Sequence, residues 1–307
     1  MSKILITGGA GFIGSHVADA LIACGHTIVI IDNFSIGKKE NINASARVYS
    51  CDITNVEAGD IIQKEKPDAI IHLAAQIDVR KSVADPVADA NINILGSINI
   101  IENARIAQVK KIIFASTGGA IYGDTQNIPT QEDEPRNPIS PYGVAKLAIE
   151  HYLYYYSKVF GMKYVILRFA NVYGPRQNSK GEAGVVAIFC DKILSGQTPV
   201  IFGDGKNTRD FVFVEDVAQA NVAALESDTT GYYNVGTSVE TDVNKLSEYI
   251  ASAFGYRGEY IYEEAKSGEQ RRSCLDFSKI KKNLGWEPKT SLKEGIEKTA
   301  QWFRKKT

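Results

Sequence analysis

A short apolar strand that runs directly into a glycine-rich turn and then a helix constrains this chain more than any other feature. Lys3-Ile4-Leu5-Ile6-Thr7 is followed at once by Gly8-Gly9-Ala10-Gly11-Phe12-Ile13-Gly14-Ser15-His16. Such backbone bends sharply, lets a phosphate come against its N–H groups and seats a helix close to the sheet, and each task removes a Cβ from one position. The pattern predicts a helix over 15–24 with Val17, Ala18, Leu21 and Ile22 on one face. Its partially positive N-terminus, reached through Phe12 and Ile13, then points at the anion.

A second strand, Thr27-Ile28-Val29-Ile30-Ile31, ends on Asp32, 18 residues after Gly14. That is close to the distance at which an acidic residue meets the adenosine ribose hydroxyls. Strand, turn, helix, strand and acid in this order predict a dinucleotide site. No arginine follows Asp32 in Asn33-Phe34-Ser35, so a 2′-phosphate would meet a bare carboxylate, and the predicted cofactor is NAD rather than NADP.

The charge balance supplies exclusions. With 35 Lys+Arg against 36 Asp+Glu, the chain has no general attraction for nucleic acid or for an anionic membrane surface. No apolar run reaches the ~18 residues of a membrane span, and no charged-then-apolar leader precedes the first strand, so a soluble, cytoplasmic protein is expected. Cys24, Cys51, Cys190 and Cys274 contain no Cys-x-x-Cys pair, and His16, His26, His72 and His151 are equally dispersed. No metal site is expected, and the cysteines read as free, packed thiols of a reducing compartment.

Further strand-like runs recur at Arg47–Ser50, Ala69–Leu73, Lys111–Ala115 and Tyr164–Arg168, with helical segments between them at Asn91–Ala107 (Ile94, Ile98, Ile101 and Ala104 on one face) and Tyr142–Phe160. The alternation predicts an α/β chain with a Rossmann-type, doubly wound parallel sheet covered on both faces. After Arg168 the texture changes to loops and short elements. A cofactor domain over 1–169 and a smaller, discontinuous α/β substrate domain over 170–307 are expected, with parts of 210–236 (Phe211–Val214, a helix from Val217, Tyr232–Val235) rejoining the first.

The candidate chemistry sits on Tyr142-Gly143-Val144-Ala145-Lys146, introduced by Pro138-Ile139-Ser140-Pro141. Four residues apart on a helix, Tyr142 and Lys146 share a face. A phenol beside an ammonium and a positively charged nicotinamide is expected to fall below its ordinary pKa of about 10, which would let it take a proton from an alcohol near neutrality. Ser116 and Thr117 open a loop at the end of the 111–115 strand. Thr117 is the hydroxyl expected to hydrogen-bond the reacting group, with Ser116 the alternative.

Together these residues resemble the extended short-chain dehydrogenase/reductase superfamily and, within it, the nucleotide-sugar epimerases and dehydratases, most closely the UDP-glucose 4-epimerase group. The resemblance covers nearly the whole chain. It implies that Gly8, Gly11 and Gly14 form the cofactor turn, that Asp32 and Asn33 meet the adenosine ribose, and that Asp52 and Ile53 lie at the adenine edge. It further implies that Leu73, Ala74, Ala75 and Gln76 line the cofactor, that Asn93 opens the Asn-x-x-Gly segment ending at Gly96, and that Ser116, Thr117, Tyr142 and Lys146 are the catalytic set. Downstream, Asn171 in Asn-Val-Tyr-Gly-Pro-Arg and Arg209 in Thr-Arg-Asp-Phe-Val match diphosphate contacts, where a guanidinium fork suits phosphate. Gly184, Val185 and Phe202 fall where the family wraps the uridine.

Two departures carry information. Dehydratases of the superfamily place an Asp-Glu pair, and sugar-nucleotide decarboxylases a Glu, where this chain has Gly118-Gly119-Ala120, so no acid and base for water elimination stand there. The family's Arg-x-Gly-Asp, which holds ribose and diphosphate, appears as Lys266-Ser267-Gly268-Glu269. Ser273 aligns with the position facing the sugar's C2 substituent, and its small size implies room for an N-acetylamino group.

The resemblance thus implies NAD-dependent 4-epimerisation of UDP-glucose/UDP-galactose, with the N-acetylamino sugars as further substrates, in a homodimer whose interface buries several of Tyr152, Tyr154, Tyr155 and Tyr156. Another nucleotide sugar such as a UDP-uronate, or a non-catalytic NAD-binding sensor, are the alternatives. His72 reads as a packed strand-end residue.

Overall fold

The computed structural model describes residues 1–180, 184–265 and 270–306. Its strands, in chain order, are β1 (Lys3–Thr7), β2 (Thr27–Asp32), β3 (Arg47–Ser50), β4 (Ala69–His72), β5 (Lys111–Thr117), β6 (Lys163–Phe169) and β7 (Asn171–Tyr173). They continue as β8 (Val200–Phe202), β9 (Thr208–Phe213), β10 (Gly231–Val235), β11 (Glu240–Asp242), β12 (Ile261–Glu263) and β13 (Arg272–Ser273). The large sheet runs β10-β6-β5-β4-β1-β2-β3, with every neighbouring pair parallel. All the carboxyl ends therefore emerge along one edge, and the winding reverses between β1 and β4, the place where such sheets open a ligand crevice.

The apolar runs explain the two-sided cover, because successive residues of a strand point to opposite faces. Ile4, Ile6, Ile28, Ile30, Ile71 and Ile113 enter one layer, where they meet Val17, Ala18 and Leu21 of helix Phe12–Ala23 and Val217 and Ala220 of helix Val214–Glu226. Leu5, Val29, Ile31, Ile70 and Ile112 enter the other, against Ile61 and Ile62 of helix Val56–Glu65, Ile100, Ile101 and Ala104 of helix Ser97–Ile106, and Ile149 and Leu153 of helix Pro141–Phe160.

The remaining strands make two small sheets. β9 is flanked by β11 and β13 and also pairs with β7, while β12 pairs with β8. They close over a third core that includes Tyr173, Phe189, Phe211, Phe213, Leu246, Ile250 and Ile296.

Several sequence expectations need correction. β5 extends through Ser116 and Thr117, because both pair with Arg168 and Phe169 of β6. Val214 begins a helix rather than ending a strand. The 91–107 segment is not one regular helix: a π-turn over Asn91–Gly96 precedes Ser97–Ile106, and the change of pitch leaves Ile94 and Ile98 only half-buried while Ile101 and Ala104 are in the core. Cys24 lies exposed at a helix end, whereas Cys51, Cys190 and Cys274 are buried, all four as free thiols. Among the described residues no cluster suits a metal ion, and no helix is long and apolar enough to cross a membrane.

Candidate active site

The glycine turn joins β1 to helix Phe12–Ala23 with little room to spare. Gly8 adopts φ +72°, and a Cβ there would lie 2.8 Å from the Ala74 nitrogen at the end of β4; a Cβ on Gly14 would stand 2.1 Å from the Gly8 carbonyl oxygen. Only glycine satisfies both demands. The helix begins at Gly11 without a side-chain cap and without an acidic residue in its first turn. Its leading N–H groups and dipole are thus kept for an anion, as a pyrophosphate requires.

Asp32 at the end of β2 is buried and aimed back at this turn. Its Oδ2 accepts from the Ala10 N–H at 2.9 Å and its Oδ1 from the Phe34 N–H at 2.8 Å, which fixes the carboxylate and leaves further lone pairs for hydroxyl donors. Asn33 donates to Asp52 Oδ2 at 2.6 Å, so the two residues expected at ribose and adenine are physically joined. Burial works against the Asp52 charge, but hydrogen bonds from Thr54 and Asn33 outweigh it and hold the carboxyl below its usual range. The neighbouring Ile53 is buried beneath Gly96.

Beyond β4, the Leu73–Gln76 backbone is clamped. Thr7 Oγ1 accepts from the Leu73 and Ala74 N–H groups, each at 3.2 Å. Asn93 accepts from the Gln76 N–H at 2.8 Å and donates to the Gln76 carbonyl at 2.9 Å. The π-turn supplies the geometry, since a local break in helical pitch re-aims a side chain.

His72 is more than a packed strand end. Its Nδ1 lies 2.6 Å from Thr7 Oγ1 and its Nε2 2.9 Å from Ser97 Oγ, which in turn donates to the Asn93 carbonyl at 2.7 Å. Because the Ser97 hydroxyl hydrogen goes to Asn93, His72 must donate from Nε2 and accept at Nδ1. Burial and then the Lys146 charge lower its pKa to about 3, so the ring stays neutral.

Tyr142 and Lys146 lie on helix Pro141–Phe160, which starts with Ser140 accepting from the Gly143 N–H and with Pro141 in its first turn. Lys146 Nζ donates to the Ala115 carbonyl of β5 at 2.9 Å and stands 4.7 Å from the Phe114 ring centroid and 5.8 Å from that of Tyr142. This brings the tyrosine–lysine pair to the end of the strand that bears Ser116 and Thr117. Ser116 is buried and donates to Glu150 Oε1 at 2.7 Å. Thr117, half-buried, precedes the short helix Gly118–Ile121 without a side-chain capping bond.

The expected lowering of the Tyr142 pKa is not a property of the polypeptide. Burial, and after it the Asp89 carboxylate, holds the phenol above its ordinary value. Burial likewise lowers Lys146 to about 8, with Asp89 opposing the fall. Asp89 itself is buried; it accepts from Gln76 Nε2 and Asn93 Nδ2, both at 2.9 Å, through Oδ1, while its Oδ2 has no hydrogen-bond partner among the described residues. Burial holds its carboxyl above the ordinary range.

The residues expected at the second ligand sit on the small sheets. Asn171 is exposed on β7, paired in register with Phe211 of β9; Arg209 of β9 is in register with Ser273 of β13. Arg209 Nη1 donates to the Thr208 carbonyl at 2.8 Å. Gly184 begins helix Val185–Leu194, and Phe202 ends β8. Glu269 and the rest of 266–269 lie outside the described residues.

The sequence profile of the NAD dependent epimerase/dehydratase family matches residues 4–236. The chain belongs to this family. A putative UDP-glucose 4-epimerase of Methanocaldococcus jannaschii is 48% identical over 301 residues, 98% of each chain. Among solved structures, the UDP-glucose 4-epimerase of Thermotoga maritima with UDP-glucose superposes with a TM-score of 0.97 at 48% identity over 99% of both chains. The UDP-N-acetylglucosamine 4-epimerase of Methanobrevibacter ruminantium, in complex with UDP-N-acetylmuramic acid, does so with a TM-score of 0.95 at 34% identity, covering 100% of this chain and 99% of the other.

As a member of the NAD dependent epimerase/dehydratase family, the chain has at the end of β1 an uncapped helix start, a turn that excludes a Cβ at Gly8 and Gly14, and a fixed Asp32 carboxylate, a geometry that suits a dinucleotide. Four contributors escaped sequence reasoning. Glu150 orders Ser116, Asp89 charges the Tyr142 surroundings, and Asp210 accepts from the Thr237 and Leu275 N–H groups at 2.9 and 3.2 Å. Leu275 packs where Gly118 lacks a side chain, since a Cβ there would lie 2.3 Å from Leu275 Cδ1. Only Asp210, beside Arg209 in the motif, left a signal; the others act between residues 34 to 157 positions apart.

Proposed function

We propose that this chain is an NAD-dependent UDP-sugar 4-epimerase acting on UDP-glucose and UDP-galactose. The observation that carries the reading is Lys146 anchored on the Ala115 carbonyl, because it holds the helix that bears Tyr142 against the strand that ends in Thr117, at the same sheet edge as the glycine turn. Gly118-Gly119-Ala120 offers no carboxyl group for eliminating water, which favours epimerisation over dehydration.

Tyr142 takes the proton of the sugar 4-hydroxyl and later returns it, with the Thr117 hydroxyl bonding the same oxygen. Lys146 stabilises the phenolate and donates to the nicotinamide ribose. When bound, NAD supplies a reversible hydride acceptor and, oxidised, the positive charge that offsets the burial raising the Tyr142 pKa. Gly8, Gly11, Phe12, Ile13 and Gly14 hold its pyrophosphate, Asp32 and Asn33 its adenosine ribose, and Asp52 and Ile53 the adenine edge. Asn171 and Arg209 keep the nucleotide diphosphate in place while the 4-keto sugar turns over, with Gly184, Val185 and Phe202 around the uridine. Turnover of the ring at a fixed diphosphate is what inverts the carbon.

Ser273 extends the proposal to N-acetylamino sugars. Its small, buried side chain is one strand from Arg209, so the C2 side of the pocket is not filled by an aromatic ring. The reading also includes a cytoplasmic homodimer acting in galactose metabolism, with 170–307 apart from the returning 210–236 segment forming the substrate side. Tyr152, Tyr154, Tyr155, Val159 and Phe160 support the dimer, since all are exposed on one helix.

Incubating the purified protein with UDP-galactose and NAD, and assaying UDP-glucose, tests the function. Interconversion to one equilibrium mixture from either sugar is expected. Turnover of a UDP-uronate alone would reassign the substrate, and retention of NAD without turnover of any nucleotide sugar would make the chain a binding protein.

A further inference from the structure

Arg168 has no exposed surface, and its partner Glu150 is 4% exposed. The guanidinium donates to Glu150 through Nε to Oε1 at 3.0 Å and Nη2 to Oε2 at 2.6 Å. Its Nη1 donates to the Tyr122 hydroxyl at 2.8 Å and to the Glu132 carbonyl at 3.2 Å. Glu150 Oε1 also accepts from Ser116 Oγ at 2.7 Å. The Tyr122 hydroxyl donates to Asn234 Oδ1 at 2.7 Å, and Asn234 in turn donates from its N–H to Glu132 Oε1 at 2.8 Å and from Nδ2 to the Thr130 carbonyl at 2.9 Å. The guanidinium carbon lies 4.5 Å from the Tyr232 ring centroid and 5.3 Å from that of Tyr122.

The placement of these groups matters more than their number. Glu150 is one helical turn beyond Lys146 and two beyond Tyr142; Ser116 immediately precedes Thr117; Tyr122 closes the short helix that Thr117 opens. One guanidinium therefore ties together the element carrying the acid–base pair, the strand end carrying the hydroxyl, and the loop between them. A buried ion pair is a poor source of stability, since well-packed apolar replacements are often neutral or better. What it does supply is direction, because a forked, bidentate pair admits one relative orientation of its elements.

We propose that Arg168 and Glu150 are positioning residues that set the reach between Tyr142 and Thr117 in the epimerisation reaction. The inference rests on the functional reading above. The pair is buried and acts through Ser116, Tyr122 and the helix.

The test is steady-state kinetics of the full-length, NAD-loaded protein with UDP-galactose. Removing one partner strands a buried charge and endangers folding, so both are replaced together, as Arg168→Met with Glu150→Leu. The double variant is expected to keep its NAD content and its KM within about twofold while kcat falls ~10- to 100-fold, the scale of a 1 Å misplacement of reacting groups. A changed melting temperature with kcat within twofold of wild type would overturn the proposal, as would a raised KM at unchanged kcat. If the double variant does not fold, Ser116→Ala decides: it cuts only the link to the strand end, and a severalfold loss of kcat at constant KM and NAD content is expected. An unchanged kcat in that variant overturns the proposal. Failure of the wild-type protein to convert any UDP-sugar would instead overturn the functional reading.

Discussion

At the carboxyl edge of the large sheet, the backbone proposed to cradle the cofactor is held by side chains of the same layer. Asn93 grips both sides of the Gln76 peptide, Thr7 collects the Leu73 and Ala74 N–H groups, and Asp32 takes the Ala10 and Phe34 N–H groups. The small sheet differs. Asn171, Arg209 and Ser273 are brought together by pairing of three short strands from distant parts of the chain, and Asn171 is exposed. A preformed cradle suits a cofactor that remains through each cycle, since preorganisation lowers the cost of binding. A site assembled from short strands suits a substrate that must come, turn over and go.

The largest test of this contrast falls where the two regions meet. Tyr142→Phe removes the phenolic oxygen but keeps the ring, so NAD content is expected to survive while turnover drops by the ~10²–10⁴ attributed to a general acid–base group. Near-normal turnover would detach Tyr142 from the chemistry.

Next comes Arg209→Met. Loss of one charge-assisted bond, ~1.5–3 kcal/mol, is expected to reduce kcat/KM for UDP-galactose by about 10- to 100-fold with cofactor retention unaltered. Loss of NAD in this variant would contradict the division between the two regions.

The cradle itself has a pH signature. A histidine whose native pKa is depressed stays neutral while the unfolded chain takes up a proton, so stability falls as pH drops below about 6.5 and levels off near 3, at ~1.4 kcal/mol per pH unit in between. His72, lowered to about 3, is expected to cost about 2 kcal/mol at pH 5 relative to pH 7. Urea unfolding of wild type and His72→Gln at the two pH values checks this; the variant should lose less, and equal losses would show that His72 does not titrate as a buried neutral ring.

The same contrast governs what could be read in the sequence. The strand, turn and helix of the cradle are contiguous, and their glycines answer to local sterics, so Gly8, Gly14 and Asp32 were legible without a structure. Tyr142 and Lys146 were legible for the same reason, as neighbours on one helix. Glu150, Asp89 and Leu275 were not, because each acts across a packing interface that no spacing encodes. The expected Tyr142 pKa illustrates the limit: Lys146 and a positively charged nicotinamide together predict a fall, whereas in the polypeptide alone burial and Asp89, invisible in the motif, hold it up.

The smallest effect concerns selectivity in the small sheet. Ser273→Tyr adds bulk beside Arg209, and overpacking of ~1–3 kcal/mol should fall on the bulkier substrate. UDP-N-acetylgalactosamine turnover is expected to fall about tenfold more than that of UDP-galactose. Equal losses would show that Ser273 does not face the C2 substituent.

The most direct test of the central claim follows one hydrogen atom. UDP-galactose carrying deuterium at C4 is converted by the purified protein in ordinary water, and the product is examined by NMR. If Tyr142 moves only the hydroxyl proton while the carbon-bound hydrogen leaves and returns within the closed site, UDP-glucose will retain the deuterium at C4. Product with deuterium washed out to water would contradict the account, because C4 would then invert by proton exchange rather than by reversible oxidation.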